Sequence, residues 1–133
     1  MRWSIFALSV LAIPFMPSTA ASQEGDVAPR ILEYDEGPAT IDVSGYPETM
    51  QKYYRVFESK CAMCHNLARA INCEFVLEDE WEQDVKQMMK LADTFISKRE
   101  GRQIVEFLVY DSKTRKKELY ERKVKSVAKP PGF

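Results

Sequence analysis

Two cysteines and a histidine stand together near the middle of the chain. Cys61 and Cys64 are separated by two residues, and His65 follows directly, which gives the motif Cys-x-x-Cys-His. Two thiols at this spacing can each add to one of the two vinyl groups of haem, and the adjoining imidazole then lies beneath the ring with a nitrogen directed at the iron. The motif therefore predicts one covalently attached haem c, with Cys61 and Cys64 forming the thioether bonds and His65 as the proximal ligand of the iron.

The same residues have two other chemical interpretations. One is a redox dithiol, and the other is a zinc site in which Cys73 joins the two motif cysteines and the histidine. A thioredoxin-like dithiol requires a βαβ setting, whereas the flanking pattern here is helical. Structural zinc sites usually separate their ligand pairs by about a dozen residues or more, whereas this cluster is compact. Haem is therefore the favoured interpretation, and Cys73 is expected to be a small buried apolar residue.

The second axial ligand of the iron must come from another residue type. His65 is the only histidine in the sequence, and a thioether is the usual partner of a proximal histidine in electron-carrying cytochromes. The other methionines lie in the leader, in the attachment loop or in the helix before it, which leaves Met88 and Met89. Neighbouring helical residues diverge by about 100°, and Met88 shares a face with Trp81 and Val85. We expect Met88 to be the distal ligand and Met89 to be the weaker candidate, and the alternative is that both methionines fill gaps in the core.

Three helices are expected to position these residues. The first begins near Pro47 and runs into Cys61, and the second covers residues 79–91. The third begins at Ser97, because Ser97 and Glu100 have the spacing of a capping box. Three helices of this size bury too little apolar surface for more than marginal stability, so a buried cofactor would supply the missing core.

Residues 1–21 have the composition of a secretory signal peptide. Arg2 provides the positive end, a short apolar run follows, and small residues precede the expected cleavage site. The run is too short to span a bilayer comfortably. We therefore expect a periplasmic or otherwise exported protein, and the alternative is membrane association through an uncleaved N-terminus or through partner subunits.

The rest of the chain divides into three segments. Residues 22–46 contain glycines, prolines and an excess of acids, which predicts an irregular lead-in. Residues 47–110 form the expected haem domain, and residues 111–133 form a basic C-terminal extension whose narrow apolar seam suits a helix. The extension either docks an acidic partner or is simply solvated, and we favour the second interpretation. The formal net charge of −1 predicts no nucleic-acid partner.

Several landmarks follow the attachment motif in order. Leu67 and Arg69 come first, then Trp81 with Met88 seven residues later, and then the segment 96–101, which leads to Phe107 and Leu108. Over about residues 47–110 the chain resembles the small class I monohaem cytochromes c, especially those with a tryptophan ahead of the methionine. The resemblance implies an all-α fold, a small bundle of three main helices around one covalently bound haem, in which the first and third helices cross.

The resemblance also implies roles for individual residues. Met88 would be the distal ligand, Leu67 would line the haem pocket, Arg69 would lie near a propionate, and Trp81 is a further candidate haem contact. One feature departs from the family. Many members have a proline after the motif whose carbonyl accepts the second N–H of the ligand histidine, but this sequence has no proline between His65 and position 130. Another carbonyl, within residues 70–75, is expected to take its place.

These residues predict a carrier of single electrons rather than an enzyme. With a histidine and a methionine on the iron, no coordination position stays open for a substrate. Redox partner proteins are expected, and the protein would act either as a free carrier or as the haem subunit of a multi-subunit membrane or periplasmic complex. The alternative function is a haem protein with a labile distal site, such as a gas sensor or a peroxidase.

Overall fold

The computed structural model describes residues 29–93 and 95–128. The described residues form six α-helices and no strand, which confirms the all-α prediction. In chain order the helices are α1 (Pro29–Asp35), α2 (Glu48–Cys61), α3 (Ala68–Asn72), α4 (Glu78–Leu91), α5 (Lys98–Thr114) and α6 (Lys117–Ala128). Within this part of the chain, no helix combines the length and the apolar character needed to cross a membrane. The predicted signal peptide lies outside the described residues.

The three predicted helices occur as α2, α4 and α5. Helix α4 begins one residue before the predicted position, where the Glu80 carboxylate accepts hydrogen bonds from the N–H groups of Val76 and Leu77, both at 2.9 Å. At the start of α5, the predicted capping box is present. Ser97 N–H donates to Glu100 Oε2 at 2.9 Å, and Glu100 N–H donates to Ser97 Oγ at 3.3 Å. Both helix starts therefore follow from the pairing of otherwise unsatisfied backbone donors.

The hydrophobic core lies where α2 and α4 pack against α5. Phe57 of α2 and Phe107 of α5 are fully buried, with ring centroids 5.5 Å apart. Trp81 of α4 is only 1% exposed, and its indole N–H donates to Ser112 Oγ at 3.0 Å. The buried carboxylate of Asp111 accepts from Tyr46 Oη at 2.9 Å and is paired with Arg115 on the next turn. Because these polar side chains have partners, α5 continues past the end of its apolar stripe to Thr114.

The prediction of an irregular lead-in is wrong for residues 29–35, which form α1. The helix has no buried residue, and its first turn has no acidic side chain, so the sequence pattern gave no helix signal. Contacts with α3 hold it instead, since Asn72 Nδ2 donates to Tyr34 O at 2.9 Å. The short helix α3 was also not predicted. The fold therefore contains short helices on either side of α2, besides the three main ones.

The basic C-terminal segment includes helix α6, as its apolar seam indicated. Lys116 Nζ donates to Cys73 O at 2.7 Å, and Lys123 Nζ donates to Glu74 O at 2.8 Å and forms an ion pair with Glu80. Burial lowers the pKa of the Lys116 ammonium. The interpretation of this segment as simply solvated is therefore wrong for these two lysines, which attach the α5–α6 region to the chain after α3.

Candidate functional site

A cavity of about 570 Å³ lies between α1, α3 and α4, and we call it the His65–Met88 cavity. His65, which precedes α3, and Met88, in the last turns of α4, both line it. Trp81 and Leu91 of α4 add apolar surface to the same wall. The volume is within the range of about 300–1,000 Å³ that is usual for ligand pockets. The fold thus brings together the two residues that the sequence indicated as axial ligands.

The attachment motif lies at the point where α2 ends. Cys61 is the last residue of α2 and is half-buried, whereas Cys64 is exposed, and both are free thiols. Burial, together with the negative charges of Asp84 and Cys64, raises the pKa of the Cys61 thiol to about 12. Cys64 and His65 also line a shallower depression of about 470 Å³ that shares His65 with the larger cavity. His65 therefore lines both hollows, whereas neither Cys61 nor Cys64 is among the residues that line the His65–Met88 cavity.

The imidazole of His65 has a defined hydrogen bond. Its Nδ1 atom lies 2.9 Å from Asn66 O. A carbonyl oxygen only accepts hydrogen bonds, so this bond requires a proton on Nδ1 and makes Nε2 the ring nitrogen that can bind a metal ion. Asn66 is itself held, because its Oδ1 accepts from Ala68 N–H at 3.0 Å. In this structure the partner of Nδ1 is the carbonyl of the neighbouring residue rather than a carbonyl within residues 70–75.

The two adjacent methionines of α4 point in different directions. Met88 is half-buried and lines the cavity, whereas Met89 packs against the hydrophobic core. A Cβ atom added at Gly101 would lie 2.5 Å from Met89 Sδ, so the thioether fills the space left by this glycine of α5. Met89 thus belongs to the contact between α4 and α5, and only Met88 faces the cavity that contains His65.

The three candidate haem contacts occupy different surroundings. Leu67 is buried in the core and lines the depression beside Cys64. Trp81 lines the His65–Met88 cavity. Arg69 lines that cavity too, but its guanidinium forms two hydrogen bonds with the carboxylate of Asp35, Nε to Oδ1 at 3.2 Å and Nη2 to Oδ2 at 2.5 Å. The hydrogen bond from Arg69 lowers the pKa of the Asp35 carboxyl, so in this structure the arginine has an anionic partner from α1.

Asp84 is a residue of the cavity wall that was not predicted from the sequence. Asp84 lines the cavity, and burial raises the pKa of its carboxyl while the nearby His65 opposes this shift. Its position three residues after Trp81 and four before Met88 places it on the same helical face, so this spacing could have identified it. Cys73 also lines the cavity, and burial raises the pKa of its thiol, which agrees with the expected apolar role.

Two thiols, an imidazole and a thioether, the residue types present at this site, are those that bind haem c. Among residues 29–93 and 95–128, no group of three or more His, Cys, Asp or Glu side chains is arranged to hold a metal ion. A haem iron takes four ligands from the porphyrin, so the protein needs to supply only axial ligands and the two thiols.

Scans of protein-family models, curated proteins and solved structures found no match to the chain.

Proposed function

We propose that this protein is an exported monohaem c-type cytochrome that carries single electrons. Haem c would be bound through Cys61 and Cys64, with His65 as the proximal ligand and Met88 as the distal ligand. The main support is that His65 and Met88 line one cavity, although the sequence separates them by 23 positions. When bound, the haem supplies a reversible one-electron couple between Fe(II) and Fe(III).

The protein's own residues would control this couple. The hydrogen bond from His65 Nδ1–H to Asn66 O would fix the tautomer and the orientation of the ring towards the iron. The Met88 thioether is a neutral ligand that favours a high reduction potential. With both ligands in place, the chain offers no open position to a substrate. The protein would therefore be a carrier of electrons and not an enzyme.

The walls of the cavity would keep water away from the cofactor. Trp81 is held there by its hydrogen bond to Ser112, and Phe75 packs edge-on against it with ring centroids 5.6 Å apart. An apolar shell of this kind controls the local dielectric and hence the reduction potential. The wall also carries charged groups, because Arg30, Arg69, Glu74, Glu80, Asp84 and Lys123 line the same cavity. Burial raises the pKa of the Asp84 carboxyl.

Electron exchange with partner proteins requires that part of the site lies near the surface. Cys64 is exposed, and the neighbouring Met63 is 65% exposed, so the attachment loop forms such an edge. Small, short-lived interfaces with complementary charge suit this exchange. The partners would be redox proteins of the exported compartment, met by a free carrier or within a larger membrane or periplasmic complex.

Spectroelectrochemical titration of the purified exported protein tests the proposed function. We expect a single reversible one-electron transition with the spectrum of a six-coordinate c-type haem. The variant with Cys61→Ser and Cys64→Ser is the control. Without thioether bonds it should lose haem during denaturing purification and therefore lack this transition. Absence of a reversible couple in the unmodified protein would contradict the proposal, and rapid carbon monoxide binding to its ferrous form would instead support the gas sensor or peroxidase alternative. Copurification with partners at high salt would distinguish a complex subunit from a free carrier.

A further inference from the structure

We propose that helix α1 is part of the cofactor site and covers the His65–Met88 cavity with Ile31 and Tyr34. This inference rests on the proposed function, because it concerns the same cavity. Arg30, Ile31 and Tyr34 of α1 all line the cavity, although they precede Cys61 by 27 to 31 positions in the sequence. The cofactor site would therefore include a segment outside the haem domain expected at residues 47–110.

The burial pattern of α1 shows which face is turned inward. Ile31, Tyr34 and Asp35 are partly buried, at positions i, i+3 and i+4, whereas the other residues of the helix are exposed. Leu32 is 52% exposed, although it is as apolar as its neighbour Ile31. The inward face thus presents Ile31 and Tyr34 to the cavity and Asp35 to Arg69. An isolated helix of seven residues is not stable in water, so these contacts must hold it.

The C-terminal end of α1 is attached by a specific set of hydrogen bonds. Asn72 Nδ2 donates to Tyr34 O at 2.9 Å and to Pro38 O at 3.1 Å, and Arg69 forms its two hydrogen bonds with Asp35. Gly37 lies against the Asn72 side chain so closely that a Cβ atom would collide with its amide. The turn after α1 is therefore fixed on α3.

The N-terminal half of α1 has a weaker attachment. Arg30 forms an ion pair with Glu74 at 3.6 Å, and both side chains are largely exposed. Exposed ion pairs contribute about 0–1 kcal/mol, so this pair alone does not fix the helix. Beyond this pair, the inward side chains of α1 are Ile31 and Tyr34, which line the cavity. A bound apolar ring would bury this surface and stabilise α1, and α1 in turn would shield the ring from solvent.

The variants Ile31→Asp and Leu32→Asp test this inference in the haem-loaded protein. They place the same charge at neighbouring positions of one helix, but only the first position faces the cavity. We expect Ile31→Asp to increase amide hydrogen exchange across α1 by about fivefold or more, the factor that corresponds to roughly 1 kcal/mol of local stability. It should also accelerate reduction by ascorbate, because the cofactor becomes more accessible. Leu32→Asp should change neither quantity.

A second pair of variants tests the attachment of α1. Asp35→Asn removes the ionic partner of Arg69, and Glu36→Gln is the matched control at an exposed neighbouring position. Only Asp35→Asn should increase amide hydrogen exchange across α1. If Ile31→Asp fails to fold, the milder variant Ile31→Ala replaces it. Equal behaviour of the cavity-facing and exposed variants, with haem attached, would overturn the role of α1 and leave the proposed function standing. A wild-type protein without haem would overturn both.

Discussion

Replacing Met88 by leucine separates iron ligation from packing. Met88 is half-buried on the cavity wall, and leucine has nearly the same volume, so the substitution should cost less than about 1.5 kcal/mol of folding free energy. For a domain of this size, that corresponds to a fall of less than about 10 °C in Tm. Leucine offers no lone pair to the iron. We therefore expect the ferrous variant to bind carbon monoxide rapidly and its midpoint potential to fall, since thioether ligation raises it.

The matched control is Met89→Leu, which makes the same chemical change at the adjacent position. Met89 packs against the core and fills the space beside Gly101, so this variant disturbs the contact between α4 and α5. We expect a fall in Tm that is similar or larger, because a branched side chain must fit against the backbone of α5. Carbon monoxide binding and the midpoint potential should stay as in the unmodified protein.

Three measurements on the haem-loaded proteins distinguish the two methionines: thermal unfolding, the rate of carbon monoxide binding and a redox titration. The prediction is that stability responds to both substitutions, whereas ligand binding and potential respond only to Met88→Leu. Rapid carbon monoxide binding by Met89→Leu alone would reverse the assignment of the distal ligand. If neither variant gained carbon monoxide binding, ligation by these methionines would be refuted.

Three further outcomes are expected. Asp111→Ala removes a buried acceptor whose guanidinium partner is one-third exposed, so the free energy of unfolding in urea should fall by roughly 2–3 kcal/mol. In the protein without haem, Cys64 should be alkylated by iodoacetamide at least about tenfold faster than Cys61, because the pKa of about 12 leaves little thiolate at Cys61. Equal alkylation rates, measured by mass spectrometry, would contradict this. Hydrogen bonds from Ser97 lower the pKa of Glu100 to about 2. The ionised Glu100 therefore stabilises the fold above pH 4.5, and this contribution is lost as the pH falls towards 2. The stability difference between the unmodified protein and Glu100→Gln, followed by circular dichroism, should vanish over that range.

The long helices were predictable because their signals are local. The positions of Trp81, Val85 and Met88 repeat at helical spacing, and the box of Ser97 and Glu100 marks a helix start within four residues. The same spacing also favoured Met88 over its neighbour as the residue on the Trp81 face. In these parts of the chain, propensity, capping and burial agree, so the sequence pattern was sufficient.

The remaining elements depend on partners that are distant in sequence. Helix α1 has no apolar period, and it forms because Asn72 and Arg69 bind its last turn across 34 to 38 residues. Asp111 and Ser112 lie just after the expected haem domain and have the polarity of surface residues, whereas both are buried with partners from other parts of the chain. Sequence spacing carries no information about such pairings, and for this reason the part of the cavity wall that α1 forms was not predicted.

The most direct test of covalent haem attachment is the intact mass of the exported protein, purified under denaturing conditions from a host that matures c-type cytochromes. The proposal predicts the mass of the chain plus one haem, which survives denaturation because thioether bonds hold it. The variant with Cys61→Ser and Cys64→Ser should have the mass of the chain alone. A colourless wild-type protein with no added mass, or one that copurifies with zinc under native conditions, would contradict the account.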